Sequence, residues 1–363
     1  MVGVNATGCG LFGYTGCGTA FELSHSAGGW TKTLLYTFCS ESNCADGALP
    51  NGDLAIDATK TLYGTALGGS SFGGTAFALS PDSKGDWHYT VIYEFQGGTD
   101  AIDPDGGLIF DKSGNLYGTA GGPGVFFPDY FIGSIFVLHP GSQGWSDRVL
   151  YTFCSQNCRD GFSPAAALAW GPDGDLYGAT NNGGARSWGC RSRGCGVLFS
   201  LTSSKEPKYK VLRTLAGADG SNPMSALISD DLGNLYGTTV WDGAFGTGTV
   251  FRLSRTANGR WKYSVLHEFS LGRCCANFRS ALVLDARGNL YGTTWTGGSG
   301  RCYGQGCGLI YKLTPGNHDT WKYTDLYNFT GESDGGWPTG RLAIDKNGNL
   351  YGAAAWGGKA RTG

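Results

Sequence analysis

Short runs of alternating apolar and polar residues follow one another along the whole chain, and the same four runs recur in the same order. Residues 280–313 illustrate the pattern: Ser280–Asp285 alternates as a strand does, a turn with Gly before Asn follows, and Leu290–Thr294 predicts a second strand. A glycine-rich loop precedes a third run, Gly308–Leu313, and Trp321–Phe329 is the fourth. Each unit therefore predicts four antiparallel strands, which we call A, B, C and D in chain order.

Two short motifs mark this unit, and each of them occurs six times. Leu-Tyr-Gly, in predicted strand B, has its tyrosines at Tyr63, Tyr117, Tyr177, Tyr236, Tyr291 and Tyr351. Gly-x-x-[Phe/Tyr]-x-Leu, in predicted strand C, ends at Leu23, Leu79, Leu138, Leu201, Leu253 and Leu313. A period of this length disfavours a β-solenoid, whose repeats are shorter, and a β-sandwich gives no reason for a sixfold motif.

The repeat predicts an all-β fold, a six-bladed β-propeller with four antiparallel strands per blade. The chain starts just before a C strand and stops just after a B strand, and such complementary ends suit a closed ring better than an open stack. We therefore expect one domain, 1–363, whose closure blade is shared between the N- and C-termini. The predicted blades are 50–95, 106–153, 166–215, 225–269, 280–329, and 340–354 together with 18–38.

Composition excludes several functional classes. Apolar residues make up 40% and aromatic residues 13%, which predicts a folded chain despite the 64 glycines. Charged residues make up only 15% and the net charge is −2, so nothing steers the protein to nucleic acid or to an anionic membrane surface. No apolar run reaches about 18 residues. We predict a monomer without membrane insertion.

Twelve cysteines are too many for a typical reduced cytosolic chain, and most form close pairs. We predict disulfides at Cys9/Cys17, Cys39/Cys44, Cys154/Cys158, Cys190/Cys195 and Cys302/Cys307. Zinc is the alternative, and the pairs at 154/158 and 190/195 are tight enough for it, but no histidine accompanies them. The pairing of the adjacent Cys274 and Cys275 stays open. Disulfides predict an extracellular or cell-surface location, although no signal peptide is visible.

In an antiparallel blade the B–C and D–A connections emerge on one face. All twelve cysteines and the long variable loops fall in these connections, so this face is the candidate functional face. None of the five histidines falls there, which argues against a Ser-His-Asp triad or a histidine metal site. We predict no metal and no cofactor.

Four charged residues stand out among the small residues just before strand A. Asp53, Asp105, Arg279 and Arg341 occupy positions that are otherwise small, as a crowded tunnel mouth requires. The order of the blades predicts an ion pair between Arg341 and Asp53. This group is either a structural salt bridge, which we favour, or a centre that binds an anion or a sugar.

Aromatic residues supply the other candidates for binding. The tryptophans Trp188, Trp241, Trp295, Trp337 and Trp356 lie in or beside B–C and D–A loops. Exposed aromatic rings suit sugars or partner proteins, whereas rings folded over the blade ends serve only packing. The carboxylates of the recurring Asp-Gly-x-x-Pro motif (Asp46, Asp160, Asp219 and Asp334) are expected to cap turns, with a glycosidase pair as the alternative.

One family resemblance covers essentially the whole chain. The phrase Gly-Asn-Leu-Tyr-Gly-Thr-Thr, then Gly-Thr-Val-Phe-Arg-Leu, at 233–253, resembles the Gloeobacter/Verrucomicrobia tandem repeat. Clear copies lie at 61–79, 115–138, 289–313 and 349–358. The resemblance implies a bacterial exported or surface protein of the choice-of-anchor type, and it implies no activity for individual residues. The strand pattern is also similar to NHL and SMP-30-like propellers in fold.

Together these observations predict a secreted or cell-surface binding module for a glycan or a surface protein. The alternative is a polysaccharide-active hydrolase or lyase that uses carboxylates and arginine on the same face. The missing histidines and the regular repeat favour binding over catalysis.

Overall fold

The computed structural model describes residues 2–5, 17–26, 29–71, 73–97, 100–121, 132–164, 166–184, 193–270 and 280–358. The chain divides into two compact units, Met1–Phe153 with Ser163–Leu168 and Cys154–Phe162 with Ala169–Gly363. The described helical segments are single 3₁₀ turns at Ser42–Cys44, Gly217–Asp219, Cys302–Gly304 and Asn317–Asp319. Across the described ranges, no helix has the length and hydrophobicity that a bilayer crossing needs.

The first unit contains three antiparallel sheets whose strands follow the chain order. A three-stranded sheet consists of β1 (Val2–Asn5), β2 (Thr19–Ser26) and β3 (Gly29–Thr37). The next consists of β4 (Ala48–Ile56), β5 (Leu62–Leu67), β6 (Thr75–Pro81) and β7 (Trp87–Glu94). The third consists of β8 (Ile109–Phe110), β9 (Leu116–Ala120), β10 (Ser134–Gly141) and β11 (Gly144–Thr152).

The second unit contains three four-stranded sheets and a final hairpin. The first sheet consists of β12 (Ala169–Trp170), β13 (Leu176–Thr180), β14 (Val197–Leu201) and β15 (Tyr209–Thr214). The second consists of β16 (Ile228–Ser229), β17 (Leu235–Thr238), β18 (Thr249–Arg255) and β19 (Trp261–Glu268). The third consists of β20 (Val283–Leu284), β21 (Leu290–Thr294), β22 (Leu309–Pro315) and β23 (Trp321–Asn328). The hairpin is β24 (Gly336–Ile344) and β25 (Leu350–Trp356).

The predicted A–B–C–D order is therefore confirmed in five complete sheets. The two sequence motifs face each other in every one of them. In β17 and β18, for example, Leu235 pairs with Leu253 and Gly237 with Phe251. A Cβ placed on this glycine would lie 2.6 Å from the phenylalanine ring, so the motif requires glycine where the aromatic ring crosses strand B.

An aspartate in each described A–B turn explains why the motif contains tyrosine. It starts the turn in five of them, and in the sixth, where Gly171 starts the turn, Asp173 takes its place. In the third repeat of the second unit, the Asp285 Oδ1 accepts the backbone N–H groups of Arg287 and Asn289 at 2.9 Å. Its Oδ2 accepts the Asn289 side chain at 2.7 Å and the Tyr291 hydroxyl at 3.0 Å. Equivalent tyrosine-to-aspartate bonds form at Tyr63, Tyr117, Tyr177, Tyr236 and Tyr351. Tyrosine therefore fixes the turn on the short-loop side of each sheet.

Neighbouring sheets of a unit pack through their D-strand tryptophans. The ring centroids lie 5.9 Å apart for Trp145 and Tyr63, 5.9 Å for Trp261 and Tyr177, and 6.1 Å for Trp321 and Tyr236. Each tyrosine is the one of the Leu-Tyr-Gly motif in the preceding sheet. Trp30 differs, because 52% of it is exposed.

The ends of the chain pair differently from the prediction. The hairpin of β24 and β25 forms as predicted for strands A and B of the closure blade. We also expected Leu350–Ala354 to pair with residues 18–23, but the B position beside β2 is filled by β1. Gly3 lies opposite Phe21, the register that Gly237 and Phe251 adopt. Residues 2–5 are thus a seventh B strand, in which Met-Val-Gly replaces Leu-Tyr-Gly. The number of blades and their closure stay predictions.

Candidate functional site

The aspartates that begin the D–A motif close their own loops. Asp160 accepts the Ser155 backbone N–H at 3.1 Å and its hydroxyl at 2.8 Å, and Asp219 accepts Arg213 and the Ala216 N–H. Equivalent bonds form at Asp46, Asp100 and Asp334. Their shared role is the turn-capping role that the sequence predicts. Asp100 belongs to this set although Ala101 replaces the motif glycine.

The residue before the proline of this motif adopts the same unusual backbone in five repeats. These residues, which we call the junction residues, have φ between 50° and 56° and are Leu49, Asp103, Ser163, Asn222 and Trp337. Each donates its backbone N–H to a B–C loop of the preceding sheet, to Cys17, Gly73, Ile132, Cys195 and Cys307 respectively. Left-handed backbone costs a non-glycine residue about 1 kcal/mol. Five different side chains therefore occupy equivalent positions in five repeats, each with the same left-handed backbone and the same type of backbone hydrogen bond.

The junction residue Trp337 lies at the centre of an aromatic platform. Trp295 stacks on it with ring centroids 5.8 Å apart and planes 10° apart, and Tyr303 stacks on it at 5.8 Å and 27°. Trp356 contacts both, at 5.4 Å from Trp337 and 5.7 Å from Tyr303. Tyr303 is 77% exposed and the three tryptophans are half-buried. The Nε1 of Trp337 is buried and has no hydrogen-bond partner in the described part of the chain.

A disulfide holds the platform in place. Cys302 and Cys307 are bonded and close the short loop that displays Tyr303, and Trp337 donates its N–H to the Cys307 carbonyl at 2.7 Å. A Cβ on Gly331 would lie 2.9 Å from the Cys307 sulfur and 3.0 Å from the Trp356 ring, so Gly331 lies between the disulfide and this ring. The loop therefore has little freedom to withdraw its tyrosine.

Two further close pairs form disulfides, Cys39 with Cys44 and Cys154 with Cys158. Cys17 and Cys195 are also disulfide-bonded, and the partners predicted for them, Cys9 and Cys190, lie outside the described residues. So do Cys274 and Cys275. The sulfurs of Cys17, Cys39 and Cys44 lie within 4.8 Å of one another, but all three are oxidised, which disfavours the zinc alternative there.

Amides surround a second junction residue. Asn222 donates its Nδ2 to the Asn181 carbonyl at 3.0 Å and to the Asn182 side chain at 3.4 Å. Asn181 is 5% exposed, and its Oδ1 has no partner among the described residues. The Trp241 backbone pairs with that of Ser221, directly before Asn222, and 37% of Trp241 is exposed. Trp241 thus belongs to this junction and not to the aromatic platform.

Carboxylates surround a third junction residue, in the first unit. Asp103 is 5% exposed, and its Oδ1 is buried without a partner in the described ranges. Burial and the negative charge of Asp105 raise the pKa of Asp103 to about 6. Asn51 donates its Nδ2 to the Asp105 Oδ1. Burial raises the pKa of Asp105 by more than this hydrogen bond lowers it. Asn51, Asp103 and Asp105 form what we call the acidic junction.

A carboxyl pair lies at the start of the same D–A loop. Asp147, on β11, hydrogen-bonds Asp100, and burial together with this partner raises the pKa of Asp147 to about 7. Asp100 also accepts the Gln96 N–H at 2.8 Å and the Tyr93 hydroxyl at 3.1 Å. A shared proton between the two carboxyls is the arrangement that these bonds favour at neutral pH.

The structure brings together some of the predicted binding residues and leaves others apart. Trp295, Trp337 and Trp356 meet in the platform. Asp53 is exposed and approaches the next sheet closely, since a Cβ on Gly107 would lie 3.1 Å from the Asp53 Cβ. Arg341 is exposed on β24 and forms no ion pair with the residues that the structure describes. Trp188 and Arg279 lie outside the described residues.

Sequence reasoning did not select Tyr303 or single out Asp103. Tyr303 carried one usable signal, its place between two cysteines five residues apart. Asp103 carried another, because it occupies the position before proline in a motif copy whose glycine is replaced. Both positions are visible once the repeats are aligned by their prolines.

The repeated four-stranded sheets and the loops joined at their junctions define the chain as an all-β repeat protein. It belongs to the Gloeobacter/Verrucomicrobia repeat family, whose model matches residues 3–191 and 186–363. Comparison with curated proteins finds no match.

Three solved structures illustrate the distant similarities. A putative oxidoreductase (glucose dehydrogenase) from Thermus thermophilus is 16% identical, with a TM-score of 0.47, over 84% of this chain and 90% of that chain. A variant of AofleA from Arthrobotrys oligospora is 12% identical, at 0.43, over 84% and 80%. An ulvan lyase from a polysaccharide lyase family is 14% identical, at 0.48, over 82% and 79%. These similarities are too distant to assign an activity.

Proposed function

We propose that this protein is a secreted or cell-surface β-propeller that binds a glycan through the aromatic platform. The observation that carries the proposal is the group of four aromatic side chains formed by Trp337 with Trp295, Tyr303 and Trp356. Flat aromatic faces stack on the apolar faces of sugar rings, and such contacts contribute about 1 kcal/mol each.

The disulfides support both the location and the mode of binding. Disulfides persist in oxidising compartments, so an exported protein is the natural setting for this chain. The Cys302–Cys307 bond fixes the loop that carries Tyr303, and a rigid site loses less entropy when a ligand binds. The single-domain propeller of six blades is the architecture that we propose around these sheets, because the A–B–C–D unit recurs throughout.

Titration of polysaccharides and oligosaccharides against the oxidised protein tests the proposal, with tryptophan fluorescence as the readout. Tyr303→Ala and Trp337→Asn are expected to weaken binding about tenfold each, the factor that a loss of about 1.4 kcal/mol gives. Asparagine is chosen because Asn222 occupies the equivalent left-handed position. Trp30→Ala, which removes an exposed tryptophan elsewhere, is the matched control and should bind as the parent does. Equal binding by all four proteins would reject the platform as the site.

A polysaccharide hydrolase or lyase is the second candidate, and one observation favours it. Asp147 has a pKa of about 7, so it can hold a proton at neutral pH, as a general acid must. Incubation with a panel of acidic and neutral polysaccharides tests this alternative. Release of reducing or unsaturated ends that Asp147→Asn abolishes would favour the enzyme over the binding module.

A further inference from the structure

The acidic junction contains an unsatisfied buried acceptor. The Oδ1 of Asp103 has no partner among the described residues, although the residue is 5% exposed. The equivalent Asn222 avoids this state, because its Nδ2 donates to neighbouring oxygens. An unpaired buried polar group costs about 1–3 kcal/mol, and a charged one costs more. A proton or a cation, each of which accepts an electron pair, is therefore expected beside this oxygen.

Two further oxygen-bearing side chains are linked to Asp103, Asp105 by its charge and Asn51 by a hydrogen bond to Asp105. Asp105 lies close enough for its charge to act on Asp103, and its Oδ1 accepts the Asn51 amide. The hydrogen bond to Asp105 uses the side-chain nitrogen of Asn51. The side-chain oxygen of Asn51 is therefore left to coordinate a ligand. A Cβ on Gly52 would lie 2.6 Å from the Gly107 nitrogen. This close approach of the two backbone segments fixes the distance between Asn51 and Asp105.

We propose that Asn51, Asp103 and Asp105 bind a divalent cation with the preferences of calcium. Carboxylate and amide oxygens are the ligands that Ca²⁺ takes, and backbone carbonyls and water complete its shell of six to eight. A hydrogen-bonded lysine or arginine is disfavoured, because no ion pair to these carboxylates forms within the described ranges. Two carboxylates and one amide predict a weak site, in the range of about 10⁻⁴ to 10⁻³ M that extracellular modules use. The proposal does not depend on glycan binding.

Calorimetric titration of the oxidised, chelator-treated full chain with CaCl₂ tests the proposal, and sensitised Tb³⁺ luminescence gives a second readout. The parent protein is expected to bind one Ca²⁺ and to show a higher melting temperature in millimolar Ca²⁺. Asp103→Asn and Asp105→Asn should each weaken binding at least tenfold, while Asp86→Asn, an exposed control in the same unit, should leave it unchanged.

Asp103→Asn is expected to fold, because the chain itself places asparagine at the equivalent junction residue. Circular dichroism checks this point, and Asp105→Asn supplies an independent variant if it fails. The absence of Ca²⁺ and Tb³⁺ binding by the parent protein would overturn the proposal and leave a proton as the partner of the Asp103 oxygen. Equal binding by the parent and both variants would place the cation elsewhere and would also overturn it.

Discussion

Among the five four-stranded sheets, Asp147 is the residue that breaks the chemistry of the D strands. It lies opposite Leu138, and in four other sheets the residue opposite the equivalent leucine is Tyr89, Tyr209, Tyr263 or Tyr323. Two of these tyrosines stack on a ring of the preceding sheet, as Tyr89 does on Tyr36 at 3.8 Å. Asp147 instead hydrogen-bonds Asp100, beside Tyr93. Replacing Asp147 by asparagine or tyrosine therefore tests how much this aspartate lowers the free energy of unfolding.

The sign and size of the effect follow from the raised pKa. Asp147 has a pKa of about 7 in the folded protein and 3.8 as the ordinary value. The folded state keeps a proton that the unfolded state loses, so the free energy of unfolding falls as pH rises from about 4 to 7. The full difference between the two pKa values corresponds to about 4 kcal/mol in the free energy of unfolding. Screening by solvent at this half-buried site reduces the expected change to about 2 kcal/mol.

Urea unfolding of the parent and Asp147→Asn at pH 5 and pH 8 measures the difference. Because the effect develops between about pH 4 and 7, only part of it lies above pH 5. The stability of the variant relative to the parent should therefore rise by about 1 kcal/mol from pH 5 to pH 8. Asp147→Tyr should add a further gain of about 1 kcal/mol by stacking on Tyr93. A relative stability of Asp147→Asn that stays the same or falls from pH 5 to pH 8 would refute the shared proton between Asp147 and Asp100.

Three other predictions concern the repeat itself. Gly237→Ala should lower the free energy of unfolding by about 1–3 kcal/mol, because the new methyl meets a phenylalanine ring, and Gly352→Ala, which faces no such ring, should cost less in the same urea assay. Tyr291→Phe should cost about 1 kcal/mol, and calorimetry at pH 7 should detect it as a lower melting temperature. The double change Cys302→Ser with Cys307→Ser should cost about 2 kcal/mol and weaken glycan binding more than fivefold, as thermal unfolding and fluorescence titration would measure.

For each of these three predictions, one experimental result would contradict the reasoning. Equal costs for the two glycine variants would mean that the opposing ring is not the reason for glycine. An unchanged melting temperature for the tyrosine variant would mean that water replaces the lost bond. Full glycan affinity without the disulfide would mean that the loop keeps its shape unaided.

The sheets were predictable from sequence because their determinants are local and repeated. Alternating residues, turn signals and two motifs per repeat define strands A to D, and the structure confirms them in five sheets. The seventh B strand was missed because Val2–Asn5 keeps only the glycine of its motif. Its place depends on pairing with Phe21, a contact across the sheet that no single-strand pattern encodes.

The candidate site was only partly predictable, for a different physical reason. The positions of aromatic residues in loops identified Trp295, Trp337 and Trp356 as candidates. They did not predict that the three rings would contact one another. Their meeting depends on the left-handed backbone of Trp337 and on its bond to Cys307, both of which are set by the loop as a whole. The raised pKa values of Asp103 and Asp147 likewise depend on burial, which composition does not reveal.

The junction residues have a consequence for engineering. Leucine, aspartate, serine, asparagine and tryptophan already occupy the same backbone conformation, so the scaffold tolerates very different chemistry there. A combinatorial library randomised at the codons for Leu49, Asn222 and Trp337, which are half-buried, would vary the side chains that reach the loop surface, whereas Asp103 and Ser163 are buried. Natural diversification of such proteins needs no more than point mutations at the residue before each proline.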